Sequence, residues 1–157
     1  MNPTVEEKLF EAAQDGRVAE VSSLMRDNPD LNVNWQDKKC HWTALHRASL
    51  NGHAEIVKVL LAHPRISVNK ENVYGQTPVL EGCFGGCVSV VELLLKDPRV
   101  DVALADEDRC TPLWCASYCG HFEVVKWLIA SGRDLGDVNM VGEYVGKECT
   151  ALEMARG

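Results

Sequence analysis

Residues Thr111 to Gly132 read T-P-L-W-C-A-S-Y-C-G-H-F-E-V-V-K-W-L-I-A-S-G. A threonine before a proline is a strong helix opening. The hydroxyl can cap the first turn, and proline at the first helical position gives up an amide hydrogen that would be unpaired anyway. Leu113 and Ala116 place an apolar stripe on this first run, and Gly120-His121 breaks it. Val124, Val125, Leu128 and Ile129 then recur at helical spacing, and Gly132 stops the second run. Two short antiparallel helices joined by a tight turn cannot bury their apolar faces alone, so the unit needs copies of itself.

The copies are present. Thr43-Ala44-Leu45, Thr77-Pro78-Val79 and Thr111-Pro112-Leu113 follow one another at intervals of 34 residues, and Thr150-Ala151-Leu152 comes 39 residues after the third. A glycine lies nine residues after each of the first three threonines (Gly52, Gly86, Gly120). A small residue lies five after all four (Ala48, Gly82, Ala116, Ala155). Leu60-Leu61, Leu94-Leu95 and Leu128-Ile129 mark the second helices. The N-terminal segment fits the frame with Glu7 in the threonine place, as a degenerate capping copy does. Between copies, the segments 31–34, 66–69 and 100–102 read as short and strand-like, each following a proline (Pro29, Pro64, Pro98). A polar turn then precedes the next threonine and projects as a finger.

This pattern resembles the ankyrin repeat family over nearly the whole chain. Its signature stands in Thr43-Ala44-Leu45-His46-Arg47-Ala48, Gly52-His53, Thr111-Pro112-Leu113 and Gly120-His121. The resemblance implies an all-α repeat solenoid of helix–turn–helix units with β-hairpin or loop fingers. The expected organisation is a single ankyrin repeat domain over 1–157, with a capping repeat at 1–37. Full repeats are expected at 38–71, 72–105 and 106–144, and a partial repeat at 145–157. The last copy stops before a second helix, so the natural chain is expected to continue. The apolar side of Leu128, Ile129 and Leu152 is then expected to stand exposed. The family histidine, here His46, braces neighbouring units; Leu80 and Trp114 replace it in the next two copies. With Gly82, Gly85 and Gly86 crowded together, residues 77–87 are expected to be the softest part of the stack. The resemblance also implies hairpin asparagines open to hydroxylation, with Asn34 and Asn69 as candidates.

Composition narrows the functional classes. A net charge of −7 argues against wholesale phosphate binding, so no nucleic acid partner is expected. No apolar run is long enough for a membrane span, and the N-terminus lacks a signal-peptide plan. Seven cysteines, an odd number, read as free thiols in a reducing compartment, so the chain is expected in the cytoplasm, with the nucleus left open.

Cys83/Cys87 and Cys115/Cys119 have a spacing that a zinc or redox site can use, but Cys83 and Cys115 fall at small inward positions where packing explains them. The histidines sit at repeat or connection positions and offer no nucleophile–base pair in a cleft. The glycines at 82–86 lack the lysine and strand of a phosphate loop. The reading is therefore no enzyme, no cofactor and no metal.

What remains is a surface. The resemblance places partner contacts at the finger tips and the exposed side of each first helix. Those places hold Trp42, Leu50, Tyr74, Phe84, Glu107, Asp108 and Tyr118, and Arg47 with Lys38 and Lys39 makes the first finger side basic. Four aromatics on one face are a large share of the chain's four tryptophans, three tyrosines and three phenylalanines, and interfaces enrich aromatic anchors. The expected function is a protein–protein interaction scaffold, monomeric, binding another protein through its concave face. The alternatives are a targeting segment of a larger enzyme or channel, and a cysteine-based metal or redox site.

Overall fold

The computed structural model describes residues 2–139, 141–144 and 147–154. Four antiparallel helix pairs follow in order: α1 (Val5–Gln14) with α2 (Val18–Asp27), and α3 (Ala44–Leu50) with α4 (Ala54–Leu61). Then come α5 (Pro78–Phe84) with α6 (Val88–Lys96), and α7 (Pro112–Tyr118) with α8 (Phe122–Ala130). A hairpin of β1 (Val141–Tyr144) and β2 (Lys147–Thr150) leads into α9 (Ala151–Met154). First helices pack in one row, α1 on α3 on α5 on α7 on α9; second helices form another, α2 on α4 on α6 on α8. The core runs between the rows, and the residues the period singled out fill it: Leu9, Ala12, Leu45, Ala48, Leu60, Val79, Leu94, Ala116 and Leu128 are all buried.

Three local expectations are corrected. The first helix begins at Val5, two residues before Glu7: Thr4 caps it, and the Glu7 carboxylate accepts from the Thr4 amide at 2.8 Å, a complete capping box. The connections at 31–34, 66–69 and 100–102 are turns and bends, not strands, because each is held by side chains rather than by a backbone ladder. Asn34 shows how: its amide donates to the Arg65 carbonyl at 2.7 Å while its oxygen accepts from the Ser67 amide at 2.7 Å. Leu128 is fully buried, and of the pair only Ile129 stands out, 63% exposed. Leu152's side chain lies outside the described residues.

The repeats are clasped to one another by side chains that also recur every 34 residues. Arg65 donates to the Pro29 carbonyl, Arg99 to that of Leu61, and Arg133 to those of Leu95, Asp97 and Val100. A second row runs from the turn between paired helices. His53 reaches the Gln14 carbonyl at 3.0 Å, Cys87 that of Leu50 at 3.3 Å, and His121 that of Phe84 at 3.0 Å. Gly86 makes room for the last of these. Its φ is +66°, and a Cβ there would lie 2.6 Å from the His121 ring.

Candidate protein-binding face

The first-helix row and the fingers ahead of it form one side of the molecule, the front. Each finger is a tight turn organised by one side chain. Asp37 accepts from the amides of Lys39, Cys40 and Trp42, Asn72 from those of Tyr74 and Gln76, and Asp106 from those of Asp108 and Cys110. This is the chemistry for which Asp and Asn are favoured in turns. Adjacent fingers touch through one backbone bond each, Val73 to Cys40 at 3.1 Å and Glu107 to Tyr74 at 3.0 Å. Asp106 therefore serves the finger turn, while Glu107 and Asp108 stand exposed at its tip.

The front is not uniform. At its N-terminal end, Arg47 lies over two rings, 4.2 Å from the centre of Trp42 and 5.3 Å from that of Phe10. Phe10 in turn meets Trp35 edge-on at 5.7 Å. Trp42 and Arg47 are thus brought together, both half-buried, and the expected basic patch is partly folded into an aromatic cluster. At the other end, Trp114 and Tyr118, one helical turn apart on α7, stack at 4.9 Å with their planes 9° apart. Trp114 fills the place of the family histidine. It is buried because β1 crosses its ring at Gly142, where a Cβ would come within 2.7 Å.

Phe84, Asp108 and Tyr118 converge on a recess of about 40 Å³ whose wall also includes Leu80 and Gln76. Phe84 is 40% exposed at its rim and Tyr74, at the neighbouring finger tip, 51%. Leu50 is half-buried, and its carbonyl already receives Cys87. Of the eight residues singled out, the structure gathers Phe84, Asp108 and Tyr118 around the recess. It sets Tyr74 and Glu107 side by side at the fingers, and seats Trp42 and Arg47 together at the far end. Leu50 alone serves mainly as scaffold.

Sequence reasoning missed one residue of the front. Glu81 sits four residues after Thr77, the place held by Arg47 one repeat earlier and Cys115 one repeat later. It is only 3% exposed. Burial pushes its carboxyl up to about 7, with Asp106 adding and Arg47 opposing. Among the described residues its carboxylate has one hydrogen bond, from the Asn72 amide at a long 3.5 Å. A signal existed, since the carboxylate falls between apolar residues on a helix packed on both sides. His46 behaves in the opposite sense. It is buried, and desolvation lowers its pKa to about 4. Its Nδ1 accepts from Thr43 and its Nε2 donates to the Gln76 carbonyl at 3.0 Å, bracing the next finger.

Cys83 and Cys115 are inert. Cys83, Cys110 and Cys115 are buried, and burial pushes the Cys83 thiol up; for Cys115 the hydrogen bond with Cys110 acts first and burial second. A thiol so disfavoured as thiolate is a poor nucleophile and metal ligand. Among the described residues no cluster of three or more His, Cys, Asp or Glu is placed to hold a metal ion, and no helix is long and apolar enough to cross a membrane.

Comparison with known families agrees with this architecture. Residues 9–106 and 75–139 match the family model for ankyrin repeats in three copies. The chain belongs to the ankyrin repeat family. Ankyrin repeats are, as a family, protein–protein interaction modules and generally non-catalytic. Among similar proteins, the SMC5-SMC6 complex localization factor protein 1 of Homo sapiens is 42% identical over 91 residues, covering 57% of this chain and 8% of that protein. The same factor from Bos taurus is 41% identical over 91 residues, again 57% of this chain and 8% of its own length. The E3 ubiquitin-protein ligase XBAT32 of Arabidopsis thaliana is 34% identical over 80 residues, 51% of this chain and 15% of that protein. The ankyrin segment shared with these proteins is a small part of each.

Proposed function

We propose that this ankyrin stack binds one partner protein through its front, with Tyr74, Phe84 and Tyr118 as anchors and Glu107 and Asp108 as the charged rim. The observation that supports this most is the convergence of Phe84, Asp108 and Tyr118 on one recess, with Tyr74 exposed beside it. Part-exposed aromatics around a concavity, rimmed by charge, are the composition of an interface centre. The scaffold behind them is clasped repeat to repeat, so the surface is presented without an ordering cost. On this reading the module acts as a monomer inside the cell.

The relatives favour a second, compatible reading, in which the stack is the docking segment of a longer protein. The matched segment is 8% of the human localization factor and 15% of the plant ligase. In that case the enzymatic or assembly role belongs to other parts of the chain, and this part selects the partner.

The test is capture of partners from native extract with the unsubstituted protein and with Tyr74→Ala/Phe84→Ala. Because both side chains are exposed, the variant should fold normally and lose the partner. Retention of the partner by a folded variant would exclude the front as the contact surface. The full-length reading frame decides the second reading.

A further inference from the structure

The two helix rows end differently at the C-terminal end of the stack. In the first row α9 covers α7, whereas the second row ends at α8. The repeat frame shows what that leaves bare. On each second helix the places eleven, fourteen and eighteen residues after the threonine share one stripe, spaced i, i+3 and i+7. They hold Ala54, Val57 and Leu61 on α4, Val88, Val91 and Leu95 on α6, and Phe122, Val125 and Ile129 on α8. Where another second helix follows, the stripe is covered: Val57 and Val91 are fully buried, and Leu95 is 8% exposed. On α8 the same places open. Phe122 is 64% exposed and Ile129 63%, and Val125 is half-buried. Ile129 differs from Leu95 in lacking a covering helix, not in chemistry.

The face that covers such a stripe is readable from the same frame. Sixteen residues after each threonine, on the flank opposite the stripe, stand Val59, Leu93 and Trp127. Each second helix thus offers its successor a stripe and its predecessor one large apolar side chain. The other free end of the row does not match. At that place α2 carries Ser23, and Glu20 stands exposed where α4, α6 and α8 bury Ile56, Val90 and Val124. A second copy stacked end to end would therefore set a polar flank on the stripe. The nearest charges on α8, Glu123 and Lys126, pair with each other at 2.6 Å, so the occupant has no charge of either sign to match.

We infer that the free flank of α8 is a second docking surface, taken by an amphipathic helix of a partner protein. This helix lies where the next member of the second row would stand and seats one large apolar side chain among Phe122, Val125 and Ile129. The surface continues an interface the protein already uses between α2 and α4, α4 and α6, and α6 and α8. The occupant's secondary structure and apolar pattern follow from those pairs. The surface belongs to the other helix row from the front, so it acts independently of Tyr74, Phe84 and Tyr118.

The probe is a dye-labelled peptide of this chain's own residues 121–132, which carries the face that α8 sets on α6. A hydrocarbon staple between positions 126 and 130, both exposed in α8, holds so short a segment helical. Followed by anisotropy, the peptide should bind the unsubstituted protein. Ile129→Lys in the protein should weaken binding about tenfold or more, the scale of one buried aliphatic side chain. The unfolding midpoint should not move, since Ile129 is exposed. Trp127→Asp in the peptide should weaken binding likewise, and Tyr74→Ala/Phe84→Ala in the protein should leave it unchanged. Absence of binding, equal binding by Ile129→Lys, or indifference to Trp127→Asp in the peptide overturns the helix seat. A matching loss in the front variant overturns its independence of the front. A dimer in sedimentation that Ile129→Lys dissolves would give the face to a second copy and overturn the partner helix.

Discussion

The seams between repeats and the front face of the stack are built from the same period but obey it differently. At the seams, Arg65, Arg99 and Arg133 perform one task three times, and His53, Cys87 and His121 perform another. On the front, the place four residues after each threonine holds Arg47, then Glu81, then Cys115. Repetition at the seams is what stacking requires, since each unit must offer its neighbour the same surface. Departure from the period on the front has no such explanation. In this molecule structure is thus written in the recurrent positions, and on the proposed reading recognition falls to the irregular ones.

Substitutions at the seams and on the front separate the two roles. Replacing a brace between neighbouring repeats should cost most. His46→Ala removes bonds to Thr43 and Gln76 in a buried site, and should lower the unfolding free energy in urea by about 2–3 kcal/mol. Gly86→Ala should cost about 1–3 kcal/mol, because its backbone is left-handed and the new methyl meets the His121 ring. A loss under half of that would mean the His121 clasp shifts aside freely.

An irregular position should behave in the opposite sense. The Glu81 carboxyl is raised from 4.5 to about 7, so the folded state holds its proton more tightly than the unfolded state does. Its contribution is intact below pH 4.5 and is lost as pH rises through 7. Glu81→Gln should therefore stabilise the protein at pH 8 by on the order of 2 kcal/mol, with the gain vanishing in acid. His46, lowered from 6.5 to about 4, runs the other way. Its contribution is present above 6.5 and lost as pH falls through 4, and His46→Ala should remove that acid sensitivity. Thermal unfolding across this range separates the two. Smallest of all is Tyr74→Ala, which should change stability by less than about 0.5 kcal/mol while weakening partner capture. Hydrogen exchange adds a local check, since the amides of 79–84 should exchange faster than those of 113–118.

Much of the fold was legible because burial here follows a strict period. Leu45, Val79 and Leu113, or Ala48, Gly82 and Ala116, point inward wherever the frame puts them. The start of α1 was not, because a capping repeat keeps the buried positions and moves the cap, here to Thr4. Nor were the turns at 31–34 and 66–69, where alternating Val and Asn reads as strand until Asn34 and Asn69 are seen bonding across repeats. The site was legible only in part. Tyr74, Phe84 and Tyr118 stood out as aromatics at finger and helix-face positions. Glu81 did not, because a glutamate on a short helix is ordinarily solvated, and only the packing of α5 between α3 and α7 buries it.

The clasps along the seams also make the stack a linkage in series. Tension applied at its two ends passes through each turn-to-carbonyl bond in succession, and such a linkage yields where one member is weakest. Two members are imidazoles donating at 3.0 Å; the third, Cys87, offers a single weakly donating thiol at 3.3 Å. Under load the Cys87 clasp is thus the member of this row expected to open first, leaving Arg99 and the packing of α3 on α5 to hold that seam.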